Sequence, residues 1–221
     1  MTEPRLHVSD DPGHAVGELL AEQARRGGAI VLTGGSTPAR AYELAAALEP
    51  DWSRASAWWG DERCVPPGDE RSNYGLARRT LLDRLARAPE LHRIRGELPP
   101  ADAAAEYDRA LEGVTLELLL LGLGPDAHVA SLFPGSPQLA ERSARATSGP
   151  AGLAPFVDRV TMTLPALLAA GRIVVLVAGA GKAGAVRRSF GEAVDEAAPA
   201  SLLRLGDAPL DVYLDAAAAG G

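Results

Sequence analysis

The feature that most constrains this chain is an alternation: short apolar runs are separated by Ala/Leu/Arg-rich stretches in which apolar residues recur at helical spacing. Apolar runs of this kind suit strands buried on both faces, as in a parallel sheet covered by helices on either side, so the fold class expected is α/β. The expected strands are Leu6–Val8, Ile30–Thr33, Ala55–Trp59, Leu116–Leu121, Val160–Thr163, Ile173–Val177 and Val212–Leu214, with a fainter version of the pattern at His92–Ile94. Helices are expected at Pro12–Arg26, Pro38–Leu48, Tyr74–Arg87, Pro100–Leu111, Pro165–Ala170 and Lys182–Phe190. Proline opens several of them, where its missing N–H costs nothing. The run Ala140–Phe156 is rich in Ala, Ser, Gly and Pro and lacks a clear period, so it reads as a long surface loop with at most a short helical turn.

With 221 residues, 47% hydrophobic and 23% charged, the chain can bury a core without disulfides or metals, as one domain over 1–221. Its formal net charge of −7 leaves no broad cationic field for a nucleic-acid backbone. An anionic small molecule is still admissible where a few cations gather, and Arg63, Arg159 and Lys182 are the candidates. A single cysteine, Cys64, excludes an internal disulfide and offers no metal-binding pair. The N-terminus shows no basic segment leading into an apolar one, and no run approaches the ~18 apolar residues of a membrane span. Cytoplasm is therefore the expected compartment, and a monomer the expected state.

In open α/β sheets, ligands sit beyond the carboxyl ends of the strands. Four unusual segments each follow an expected strand, and should share that edge. In Val31-Leu32-Thr33-Gly34-Gly35-Ser36-Thr37-Pro38, paired glycines permit close backbone approach, Ser36 and Thr37 add hydroxyls, and a following helix would turn its free N–H groups toward an anion. A plain strand-to-helix turn capped by Thr37 is the alternative. The segment lacks the Lys of a P-loop and the third Gly of a dinucleotide fingerprint. In Trp58-Trp59-Gly60-Asp61-Glu62-Arg63-Cys64, Arg63 could grip a phosphate or carbonyl, oriented by Asp61 or Glu62, or the whole could be a solvated turn. Ser72-Asn73 reads as a helix cap.

The third segment, Leu118 to Pro134, runs from a buried strand through Gly122-Leu123-Gly124-Pro125 and delivers Asp126 and His128 to the sheet edge. With an unperturbed pKa near ~6.5, His128 can take a proton from water and return one to a leaving oxygen at neutral pH. Asp126 could hold its tautomer or bind sugar hydroxyls. The fourth, Ile173 to Lys182, places Lys182 at a helix start, unfavourable toward the dipole unless an anion binds there. Arg159 opens a strand and could reach the site or be solvated.

Taken together and in this order, Gly34–Pro38, Gly60–Arg63, Ser72–Tyr74, Gly122–Pro134, Arg159–Thr161, Gly179–Lys182 and Asp215–Ala217 resemble the 6-phosphogluconolactonases, within the larger family that also holds glucosamine-6-phosphate deaminases. The resemblance covers most of the chain. It implies a modified Rossmann-like, doubly wound, mainly parallel sheet with helices on both faces. It also implies hydrolysis of 6-phospho-D-glucono-1,5-lactone in the oxidative pentose phosphate pathway, with no cofactor and no metal. By position, Gly34, Gly35, Ser36, Thr37, Arg63 and Lys182 look like phosphate or substrate contacts and Arg159 like a further one. His128 matches the family's catalytic histidine and Asp126 its neighbouring carboxylate.

The chain departs from the family at Ala127, where Asp-Gly-His is usual; if that position needs positive φ, alanine costs on the order of 1–2 kcal/mol. It departs again at Pro155-Phe156-Val157-Asp158, where a proline-rich approach is common. The mechanism expected is general-base attack of water by His128, with Arg63 or a loop N–H at the oxyanion. A Ser131 nucleophile lacks the Gly-x-Ser-x-Gly elbow, and Ser131–Pro134 reads as packing. A zinc site lacks clustered ligands, since His7, His14, His92 and His128 are scattered. Two alternatives stay open: a deaminase-like isomerase, disfavoured because Val129–Pro134 holds no further acid, and a sugar-phosphate sensor.

Overall fold

The computed structural model describes residues 1–221. In chain order the elements are β1 (Arg5–Val8), α1 (Pro12–Arg26), β2 (Gly28–Leu32), α2 (Ser36–Leu48), β3 (Ala55–Trp59), β4 (Asp61–Arg63), α3 (Asn73–Thr80), β5 (Glu90–His92), α4 (Pro100–Ala110), β6 (Leu116–Gly122), β7 (Ala146–Gly149), β8 (Arg159–Met162), α5 (Leu164–Leu168), β9 (Ile173–Val177), α6 (Ala183–Val186), β10 (Leu210–Leu214) and α7 (Ala216–Ala219). Seven strands form one parallel sheet in the order β1-β10-β9-β6-β2-β3-β5. From β2 the chain winds outward through α2 to β3 and β5, then returns through α4 to β6 on the other side of β2. Right-handed crossovers stepping in opposite directions place their helices on opposite faces, which makes the sheet doubly wound. The winding reverses between β2 and β6, so the loops leaving their carboxyl ends flank the crevice where such folds bind ligands.

The continuous apolar runs of β2, β6 and β9 lie in the middle of the sheet, where both faces are covered. Two buried tyrosines hold the strand ends at the crevice. Tyr42 Oη accepts from Thr33 N–H at 2.8 Å and donates to Thr33 O at 2.7 Å. Tyr107 Oη does the same for Trp59, at 2.9 Å in each direction. Each hydroxyl replaces the neighbouring strand where the ladder ends, fixing the departure of the loops that follow.

Four expectations change. Val160–Thr163 forms a strand, but β8 belongs to a separate antiparallel sheet of order β4-β8-β7. Apolar content marks a strand without naming its partner. The stretch read as a loop contains β7, whose Ala-Thr-Ser-Gly sequence has little strand propensity and depends on pairing with β8. The helix expected to reach Arg87 stops at Thr80 and gives way to a 3₁₀ turn at Leu82–Arg84. The helix expected over Lys182–Phe190 is a 3₁₀ turn at Ala180–Lys182, one α turn and a wide π turn at Arg187–Gly191.

Candidate active site

The loops after β2, β3, β6 and β9 converge with β8 on a cavity of about 250 Å³. Its wall includes Gly34, Gly35, Asp61, Arg63, Asn73, the Gly122–Pro125 turn, His128, Ser131, Arg159 and Lys182. All four sequence segments therefore contribute to one place. Ser36 and Thr37 are not on the wall; they form the first turn of α2, whose N-cap is Gly35, with no side-chain cap. Asp126 is not on the wall either, and stands behind His128.

The turn that carries His128 is built from the backbone. Ala127 N–H donates to Gly124 O at 3.0 Å and Gly124 N–H to His128 O at 2.9 Å. Ala127 has φ 71°, in the left-handed region, and is fully buried. That reversal folds residues 126 and 128 against each other, so Asp126 Oδ1 lies 2.5 Å from His128 Nδ1 and also accepts the His128 N–H at 3.2 Å. Gly124 is required here, since a Cβ on it would come within 2.0 Å of His128 Nδ1. Burial pushes the Asp126 carboxyl up, but the hydrogen bond and charge of His128 outweigh it and hold the group below the usual aspartate range. A carboxylate at Nδ1 assigns the proton to that nitrogen and leaves Nε2 as the basic atom. The imidazole packs on Phe133, ring centroids 4.5 Å apart.

Three cations share the wall, and each spends its hydrogen bonds on backbone carbonyls. Arg63 Nη1 donates to Arg71 O, Arg159 Nη2 to Pro155 O at 3.0 Å, and Lys182 Nζ to Leu123 O at 2.7 Å. The buried Nε atoms of Arg63 and Arg159 have no partner. Antiparallel pairing of β4 with β8 sets these two arginines opposite each other. Arg159 is 3% exposed; burial lowers its pKa against the attraction of Asp61. Burial likewise lowers that of Lys182. Lys182 follows Gly179, whose N–H is held at 2.9 Å by Asp215 Oδ2, the cap of α7. Like charges gathered without carboxylate partners are the arrangement an anionic ligand would neutralise.

Leaving Asp61–Arg63 out of the expected strands concealed its alternation. As a strand, β4 sends Asp61 and Arg63 to the cavity and Glu62 to the opposite side. Glu62 accepts the Arg63 backbone N–H at 2.7 Å but makes no contact with its guanidinium. Its carboxylate accepts Ser72 Oγ–H at 3.0 Å and the N–H groups of Asn73 and Tyr74 at 2.7 and 2.8 Å, tying down the start of α3. Burial raises its pKa even against those bonds. Ser72 does cap α3, through Gly75 N–H. Asn73 instead turns its side chain to Asp61, which also accepts from Ser131. Asp61, Asn73 and Ser131 are the wall residues that the sequence reading missed as a group. Burial, with the charges of Asp158 and Glu62, pushes the Cys64 thiol up to about 11, so it is not a thiolate at neutral pH.

A family model described as glucosamine-6-phosphate isomerases/6-phosphogluconolactonase matches residues 13–211. A human 6-phosphogluconolactonase is 37% identical, over 96% of this chain and 90% of its own. One from a Nostoc species is 38% identical, over 86% and 82%. Among solved structures, the 6-phosphogluconolactonase of Leishmania guyanensis superposes with a TM-score of 0.87 at 25% identity, covering 100% of this chain and 99% of its own.

Proposed function

The chain belongs to the family of glucosamine-6-phosphate isomerases and 6-phosphogluconolactonases, and from that membership we propose that its cavity hydrolyses 6-phospho-D-glucono-1,5-lactone to 6-phospho-D-gluconate with His128 as the general base. It is an enzyme, a sugar-lactone hydrolase of the oxidative pentose phosphate pathway. The observation that carries the mechanism is that His128, backed by Asp126, stands on the wall of a cavity whose three cations lack carboxylate partners.

In the proposed step, Nε2 of His128 takes a proton from water as the water oxygen bonds to C1. The carbonyl electrons move onto its oxygen, and Arg63 neutralises that oxyanion. The tetrahedral intermediate collapses, the bond from C1 to the ring oxygen breaks, and Nε2 returns the proton to the departing oxygen. Asp126 holds the imidazole and its tautomer, a positioning role. Gly34, Gly35, Arg159 and Lys182 hold the phosphorylated substrate, and Ser36 and Thr37 assist from the first turn of α2.

The proposal extends to the whole chain as one domain, since the apolar core of 57 residues draws on both sheets. It extends also to a cytoplasmic monomer that binds no nucleic acid. No helix is long and apolar enough to cross a membrane. The test is acid release from freshly made lactone, corrected for spontaneous hydrolysis, beside ammonia release from glucosamine 6-phosphate. Rapid lactone opening without ammonia is expected. Ammonia release would assign the chain to the isomerase branch, and binding without turnover would make it a sensor.

A further inference from the structure

One wall residue does not serve an anionic ligand. Asp61 is the sole carboxylate lining a cavity that also holds Arg63, Arg159 and Lys182, and it is only 7% exposed. Its position is fixed from two sides: Ser131 Oγ–H donates to Oδ2 at 2.6 Å, and Asn73 Nδ2 donates to Oδ1 at 3.0 Å and to Asp61 O at 2.8 Å. Ser131 is held in turn, its N–H donating to Thr161 Oγ1 at 3.1 Å.

Asn73 reaches Asp61 at a cost. With Nδ2 engaged, its buried Oδ1 finds no donor and lies against Gly34, where a Cβ would come within 1.8 Å. Turning the amide over would set Oδ1 against two acceptors, so the orientation is settled by Asp61. An unsatisfied buried acceptor is unfavourable, and Gly34 is needed to make room for it. The local structure thus accepts a cost that serves to aim a carboxylate into the cavity.

A carboxylate offers about four acceptor sites. Ser131 and Asn73 use one on each oxygen, which leaves one free on each. Two acceptors side by side, on a carboxylate that lines a small cavity, suit two hydroxyl donors on neighbouring carbons. A phosphate is repelled from the same spot. Resting on the lactonase reading above, we propose that Asp61 is a specificity-determining residue that recognises a vicinal pair of ring hydroxyls between the lactone carbonyl and the phosphate.

The experiment compares the parent lactone with its 2-deoxy, 3-deoxy and 4-deoxy analogues on the wild type and on Asp61→Asn. Removing either of two adjacent hydroxyls should lower wild-type kcat/KM at least about tenfold, because a buried acceptor is left unpaired, while the third position matters little. In Asp61→Asn those penalties should shrink to within about threefold while the parent itself slows, since an amide presents only one acceptor oxygen. Penalties unchanged in Asp61→Asn would overturn the proposal. If that variant does not fold, the wild-type series still decides, because penalties at one position, at none or at all three equally would contradict a vicinal contact. Failure of the parent lactone to open would sink the lactonase reading itself, whereas a parent that opens without any deoxy penalty sinks only this one.

Discussion

The two ends of the parallel sheet treat buried charge in opposite ways. At the amino ends of β1, β10 and β9, Asp211 is 1% exposed and fully answered: Arg5 Nη2 and His7 Nε2 lie 2.8 Å from its oxygens, and Arg172 Nη2 lies at 2.9 Å. At the carboxyl ends, Arg63, Arg159 and Lys182 meet only carbonyls, and two guanidinium Nε atoms meet nothing. A charge satisfied within the chain contributes to folding. Charge left unsatisfied at a crevice is a cost the fold bears, and in the function proposed here an anionic ligand offsets it. Substitutions at the two ends should therefore separate activity from stability.

The largest effect is expected at His128. His128→Ala should lower kcat by ~10²–10⁴-fold in a lactone-opening assay while its melting temperature stays near wild type. Near-normal turnover would remove the histidine from the mechanism. Arg159→Met should follow, raising KM by about tenfold or more with no loss of thermal stability, because it deletes a buried charge that has no carboxylate partner. A variant that melts well below wild type would show that Arg159 is structural, and would blur the contrast.

At the other end, Asp211→Asn should cost on the order of 1–3 kcal/mol in urea unfolding and leave kcat/KM unchanged, since the lost partner served only Arg5, His7 and Arg172. Burial pushes the Asp211 carboxyl up, but the hydrogen bonds from His7, Arg5 and Arg172 outweigh it, leaving its pKa below the ordinary 3.8. A carboxyl lowered by folding lends stability that is fully present above its unfolded value and is lost as pH falls below about 3.8 toward the folded one. Unfolding midpoints taken from pH 6 to pH 3 should fall more steeply for the wild type than for Asp211→Asn; parallel curves would contradict the assignment. The smallest effect is expected at Ala127→Gly. Relief of the left-handed φ is offset by a lost buried methyl and a freer unfolded chain, so stability should move by less than about 1 kcal/mol. With the backbone unchanged, kcat/KM should stay within about threefold.

The same contrast explains what the sequence revealed. Ala55–Trp59 and Ile173–Val177 are bounded in the structure where their apolar runs begin and end, because burial on both faces leaves a local trace. In the small antiparallel sheet only β8 left such a trace. β7 is Ala-Thr-Ser-Gly and β4 is Asp-Glu-Arg, and both owe their strand conformation to β8 rather than to their own side chains. Missing β4 hid the alternation that separates Asp61 and Arg63 from Glu62. The Asp126-Ala127-His128 turn was legible as an unusual element, and the family's usual Asp-Gly-His raised the question of a positive φ at Ala127, which the structure answers at 71°. That Asp126 stands behind the ring rather than on the wall was not, since orientation depends on how the turn packs.

The central claim is that His128 acts on a ligand held by the cationic wall, with catalysis and binding divided between them. Calorimetric titration of 6-phosphogluconate into wild type, His128→Ala and Arg159→Met tests it most directly. The account predicts a Kd for His128→Ala close to wild type and one at least about tenfold weaker for Arg159→Met. Binding lost in His128→Ala but intact in Arg159→Met would contradict it.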